Sequence, residues 1–135
     1  MSVNDRDRAT LIRGRSLQDG EISPGAGPSS VPDCWPILPA PLSGWPQLAM
    51  GIWELRASRW GDCHPHDEVN YVLAGMLIVE CDGVTIEGGP GDTIRVPAGL
   101  PASYHAPEYA RMLYVYGPNP EGRPSTTFGD GSDGR

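Results

Sequence analysis

Glycine and proline punctuate this chain too often for it to be built of helices. Eighteen glycines and fifteen prolines occur among 135 residues, about a quarter of the chain where average usage gives roughly 12%. Each interior proline removes a backbone donor and each glycine weakens a helix, so a helix bundle is excluded. With 39% hydrophobic residues, the chain is also too apolar to be disordered throughout. Turn-dense β structure in a single domain with solvated ends is what remains.

Charge and cysteine usage narrow the function classes. Seventeen acidic residues against ten basic ones give a net charge of −7, which speaks against a general nucleic-acid binder. No apolar stretch approaches the roughly 18 residues needed to span a bilayer, and no secretory apolar region follows the first residues, so no membrane partner is expected. Every basic residue is Arg. That removes lysine Schiff-base and P-loop chemistry and points to a high-GC bacterial source. Cys34, Cys63 and Cys81 are odd in number and lack CxxC spacing. A cytoplasmic protein is expected, with neither a disulfide framework nor a thiolate zinc site.

Three segments organise the chain. Residues 1–46 mix charge with Gly, Pro and Ser, then carry Trp35, Ile37, Leu38 and Leu42 among Pro32, Pro36, Pro39, Pro41 and Pro46. So many missing donors forbid an interior strand, but a partly disordered, extended arm can still cover a sheet edge or a dimer interface. Residues 118–135 read as a flexible tail. Between them, residues 47–117 hold strand signals at Gln47–Arg59, Val69–Leu73, Met76–Glu80, Val84–Ile86, Thr93–Val96 and Ala110–Tyr116. Asp82-Gly83 is the strongest hairpin signal. Short strands with closely spaced turns predict an antiparallel barrel or jelly roll. A core this small is expected to need help from the arm or from a second copy of the chain.

Two segments carry the chemistry. One is Asp62-Cys63-His64-Pro65-His66-Asp67-Glu68, running on to Gly75; the other is Gly91-Asp92-Thr93-Ile94-Arg95-Val96-Pro97-Ala98-Gly99. Here the sequence resembles the cupin superfamily, all-β proteins whose double-stranded β-helix, or jelly-roll barrel, surrounds a metal or ligand site. Glu68 to Gly75 matches the tail of the first cupin motif and Gly91 to Gly99 the head of the second. Gly51-Ile52-Trp53-Glu54-Leu55, Tyr71-Val72-Leu73, Asp82-Gly83 and Tyr109 to Val115 extend the resemblance to the ethanolamine-utilisation protein Q type.

In strict family spacing the metal positions fall on Asp62, His64, Glu68 and Ala102, so two of the usual four ligands are missing. Pairing His64 with His66 instead shortens the step to Glu68 and leaves His105 as the remaining histidine. Positions 62, 64, 66 and 68 share one face of an extended strand. Alternate histidines about 7 Å apart can converge on one ion at about 2.1 Å each. A divalent ion (Zn, Fe, Mn or Ni) on His64, His66 and Glu68, with His105 or Asp62 as fourth ligand, is expected. The alternative is a metal-free site in which both histidines hydrogen-bond to Asp62, Glu68 or Asn70. His105 alternates outward and needs a bulge after Pro101 to reach the interior.

Glu68, His64 and His66 are the catalytic candidates, with Tyr104 placed by parity to donate to a substrate oxygen. Asp62, Asn70 and Arg95 are candidate substrate contacts, Arg95 through a bidentate grip on a carboxylate. Three functions stay open. The first is a metal-dependent lyase, isomerase or cyclase acting on a small oxygenated metabolite, or a dioxygenase if the ion is iron. The second is a metal-free acid/base catalyst using Glu68 with His64 or His66. The third is a binding or assembly protein. The Q type is also linked to acetate kinase activity, which is not carried over because the chain has no lysine and no Gly-rich phosphate loop before a helix. A homodimer is expected from edge pairing or arm exchange.

Overall fold

The computed structural model describes residues 9–13 and 32–128. The disorder expected for residues 1–8, 14–31 and 129–135 lies outside the described residues. Eight strands make up the described chain, and it contains no helix: β1 (Asp33–Leu38), β2 (Ala49–Cys63), β3 (Glu68–Gly75), β4 (Leu77–Cys81), β5 (Val84–Gly88), β6 (Thr93–Val96), β7 (Ala102–Tyr116) and β8 (Thr126–Thr127). The strands form one all-β sheet that runs β1-β2-β7-β3-β6, with β4 paired to β7 and β5 to β4.

The two longest strands, β2 and β7, pair antiparallel along their whole length. Their register breaks between Arg56 and Ser58, where Ala57 takes a left-handed φ of 44°. This bulge inserts one residue and so changes which side chains face inward. Ahead of it Gly51, Trp53 and Leu55 are buried; beyond it Asp62 is buried. The break thus sets Trp60 and Asp62 on the face that already carries Trp53. On its other side β7 changes partner at the same level, pairing with β4 along Ala102–Cys81 to His105–Ile78 and with β3 from Ala110 to Tyr116. Trp53, Leu55, Val72, Val79, Tyr104 and Met112 consequently share one core.

Period-2 alternation is clean in β3, where Glu68, Asn70 and Val72 are buried and Tyr71 and Leu73 exposed. Asp82 (φ 51°) and Gly83 (φ 76°) both lie in the left-handed region, the geometry of a type I′ hairpin between β4 and β5. The proline-broken segment forms edge strand β1 against β2, with its register shift between Pro36 and Leu38. Residues 118–128, read from sequence as the start of a solvated tail, return to the sheet instead. Trp45 and Asn119 form a β-bridge, and β8 pairs with Asp62 and Cys63.

Candidate functional site

The bend His64-Pro65-His66-Asp67 joins β2 to β3 and places the first motif beside the second. Asp67 pins it there by accepting hydrogen bonds from the Ala98 amide (2.8 Å) and Arg95 (2.9 Å), while the Gly99 amide donates to the His64 carbonyl (2.8 Å). The Arg95 contact, aided by the Ala98 amide, holds the Asp67 carboxyl below its usual range. Arg95 is therefore an exposed brace for this bend, and the substrate contact expected of it is replaced by Asp67.

Glu68 opens β3 facing inward and is buried. Its Oε1 accepts from the Tyr104 hydroxyl (2.7 Å) and the Asn70 amide (2.8 Å). Trp53 Nε1 in turn donates to Asn70 Oδ1 (2.7 Å), which fixes the amide's orientation. The other oxygen, Oε2, lies 3.2 Å from His64 Nε2, and Asp62 Oδ2 lies at the same 3.2 Å from that nitrogen. Trp60 Nε1 also donates to Asp62 Oδ2 (3.1 Å). His64 Nδ1 meets Ser125 Oγ at 2.6 Å. One imidazole thus spans two buried carboxylates and a hydroxyl brought back by the C-terminal segment.

The charges follow from this geometry. Burial alone would lower the His64 pKa, but its hydrogen bonds to Asp62 and Glu68 prevail and push it up to about 10. Burial raises the Asp62 pKa despite the bond to His64. Burial would raise Glu68 too, but the bonds from His64, Tyr104 and Asn70 outweigh it and lower the value. Tyr104 is pushed up by burial and by the adjacent Glu68. At neutral pH His64 is held as an imidazolium against the ionised Glu68, while burial works against ionising Asp62.

His66 takes a different role. Its ring stacks on His64 (centroids 4.9 Å apart, planes 13° apart) and on Tyr116 (4.6 Å, 9°), with Trp45 at its edge. Burial and the His64 charge lower its pKa, against a hydrogen bond to the Asp67 carbonyl. Imidazole lone pairs lie in the ring plane, so two parallel, face-stacked rings do not aim them at a common ion about 2.1 Å from each. Among the described residues no group of three or more His, Cys, Asp and Glu side chains is arranged to hold a metal ion. As placed, the expected His64–His66–Glu68 donor set does not fit one. His105 stands apart from it, cross-strand from Arg59 and Ile78, with its neighbours Tyr104 and Ala106 pointing inward. The bulge that would have turned it inward occurs at Ala57 instead.

A cavity of about 240 Å³ opens over the triad, lined by Pro32, Cys34, Trp53, Trp60, Asp62, His64, Glu68 and Tyr114. Trp53, Trp60, Cys34 and Ser125 are site neighbours beyond the candidates named from sequence. Plain alternation sets Trp53 on the face opposite Asp62 until the bulge at Ala57 intervenes, and nothing in the spacing pointed to Ser125.

The family model for ethanolamine utilisation protein EutQ matches residues 40–120, which hold every strand of this site except β1 and β8. The chain belongs to the EutQ family. It is 32% identical over 70 residues to the acetate kinase EutQ of Clostridioides difficile (strain 630), covering 52% of this chain and 45% of that protein. The chain therefore spans less than half the length of that curated relative. The solved EutQ structure from Clostridium difficile superposes with a TM-score of 0.58 at 24% identity, over 81% of this chain and 89% of that one. An ethanolamine utilisation protein Q from Salmonella typhimurium LT2 gives 0.51 at 30%, over 53% and 58%. The DMSP lyase DddQ of Ruegeria pomeroyi DSS-3 shares the fold, with a TM-score of 0.58 at 22% identity over 69% and 49%.

Proposed function

We propose that this EutQ-family cupin is an acid/base catalyst of the lyase or isomerase type, acting on a small metabolite in the 240 Å³ cavity. The observation that carries this reading is His64 Nε2 held 3.2 Å from both Asp62 and Glu68 at the cavity wall. His64 is the proton donor and ionised Glu68 the acceptor, so each is in its working protonation state at neutral pH. Tyr104 and Asn70 position the Glu68 carboxylate, and Ser125 orients the imidazole. Hydrogen–deuterium exchange into a panel of small carbonyl compounds, followed by NMR in D2O, tests it. Glu68→Gln is expected to lower any exchange by about 10²–10⁴-fold. Equal exchange in wild type and variant contradicts the reading.

A metal-dependent version requires His64 and His66 to leave their stack and His64 to give up its carboxylate partners. Elemental analysis of freshly purified protein distinguishes the two, and less than a tenth of an equivalent of Zn, Fe, Mn or Ni is expected. The acetate kinase activity named for the Clostridioides difficile relative is not extended to this chain. Phosphoryl transfer relies on cations around the phosphate oxygens, whereas this cavity is lined by two carboxylates and no Arg. A homodimer in a reducing cytoplasm, where the three free cysteines stay reduced, completes the proposal; a monomer in sedimentation equilibrium contradicts the dimer.

A further inference from the structure

The cavity's hydrogen-bonding groups are unevenly spent. Its nitrogen donors are all engaged by the protein: Trp53 Nε1 by Asn70, Trp60 Nε1 by Asp62, and His64 by Ser125 and the two carboxylates. The Tyr114 hydroxyl accepts from Cys34 Sγ (3.7 Å), which leaves its own proton unspent. Acceptor capacity is left over. Asp62 is 7% exposed and its Oδ1 has no hydrogen-bond partner, while Glu68 Oε2 receives only the shared His64 proton. A buried carboxylate oxygen without a donor is costly unless something entering the site supplies one. The lining carries two carboxylates and one imidazole, so with both carboxylates ionised its net charge is negative in either state of His64. Its remaining walls are the rings of Trp53, Trp60 and Tyr114, whose faces attract cations.

We infer that the cavity selects a small organic ammonium ion, its N–H groups donating to Asp62 and its charge resting against the Trp53, Trp60 and Tyr114 rings. This rests on the proposed function for the location of the site and names the class of ligand it takes. The size follows from the cavity, below the roughly 300–1,000 Å³ common for drug-sized ligands. Anionic and neutral molecules of the same shape find only the Tyr114 hydroxyl proton as a free donor there.

The test is a binding series that needs no turnover. Isopropylammonium, 2-propanol, tetramethylammonium and isobutyrate are titrated to 50 mM into the full chain at pH 7.5, reading the indole N–H signals of Trp53 and Trp60. Isopropylammonium is expected to bind at least tenfold more tightly than 2-propanol and isobutyrate, with tetramethylammonium between, since it offers charge without a donor. Asp62→Asn is expected to weaken isopropylammonium at least tenfold. If that variant loses its dispersed spectrum, Glu68→Gln carries the same expectation for the charge. Isobutyrate or 2-propanol binding as tightly as the ammonium overturns the inference, as does no saturable shift with any probe. Either result leaves the Glu68-dependent exchange to stand or fall separately. Ammonium preference without that exchange sinks the catalytic reading alone.

Discussion

Removing the His64 imidazole leaves Asp62 and Glu68 buried together without the cation between them. Stranding buried charge in this way costs about 3–5 kcal/mol, so His64→Ala is expected to lose that much in urea unfolding at pH 7. A loss under about 1 kcal/mol would show that the contact carries little. The pH dependence has a definite sign. The folded His64 pKa is raised from 6.5 to about 10. Its contribution is therefore fully present below pH 6.5 and is lost as pH rises through about 10. Wild-type stability should decline across that window by a component that His64→Ala lacks. The same window governs catalysis: activity should hold through neutral pH and fall near pH 10, where His64 gives up its proton.

Within the elements, the bulge and one glycine decide how the cavity is walled. Gly51 on β2 lies opposite Tyr114 on β7, and the Tyr114 ring occupies the space a Cβ at position 51 would take. Gly51→Ala should cost about 1–3 kcal/mol by overpacking and displace Tyr114 from the cavity wall. Thermal unfolding beside the Trp60 indole signal reads both effects; an unchanged stability contradicts this packing. The elements legible in sequence are those whose side chains carry the pattern themselves, such as the alternation of β3 and the Asp82-Gly83 turn. The first half of β7 was not legible. Ala102-Ser103-Tyr104-His105-Ala106-Pro107 has weak strand preference, and it is extended because β2 and β4 pair with it on both sides. β8 was missed for a related reason, since two threonines in a polar run become a strand only where Asp62 and Cys63 receive them.

At the scale of the whole molecule, the site joins segments far apart in sequence. Parity and the motif resemblance placed Asp62, His64, Glu68, Asn70 and Tyr104 on one inward face, because these positions share strand periodicity. They could not reveal that Ser125, 61 residues from His64, returns to bind its ring. Nor could spacing show that His66 stacks rather than converges, because ring orientation depends on Tyr116 and Trp45 packing around it. The expected metal set followed from the cupin resemblance and strand parity; the protonated His64 is a consequence of tertiary contacts. Ser125→Ala should accordingly leave the fold intact and loosen His64, lowering its pKa from about 10. Histidine NMR titration checks this, and an unmoved midpoint contradicts a role for the hydroxyl.

The central claim is that His64 is an imidazolium shared by two buried carboxylates, and its ring ¹⁵N chemical shifts between pH 5 and 11 test that most directly. With His64→Gln to assign the signals, the prediction is that both ring nitrogens stay protonated at pH 8 and titrate near 10. A neutral ring at pH 8, or a midpoint near the ordinary value of about 6.5, would contradict it and return the site to an unshared or metal-bound histidine.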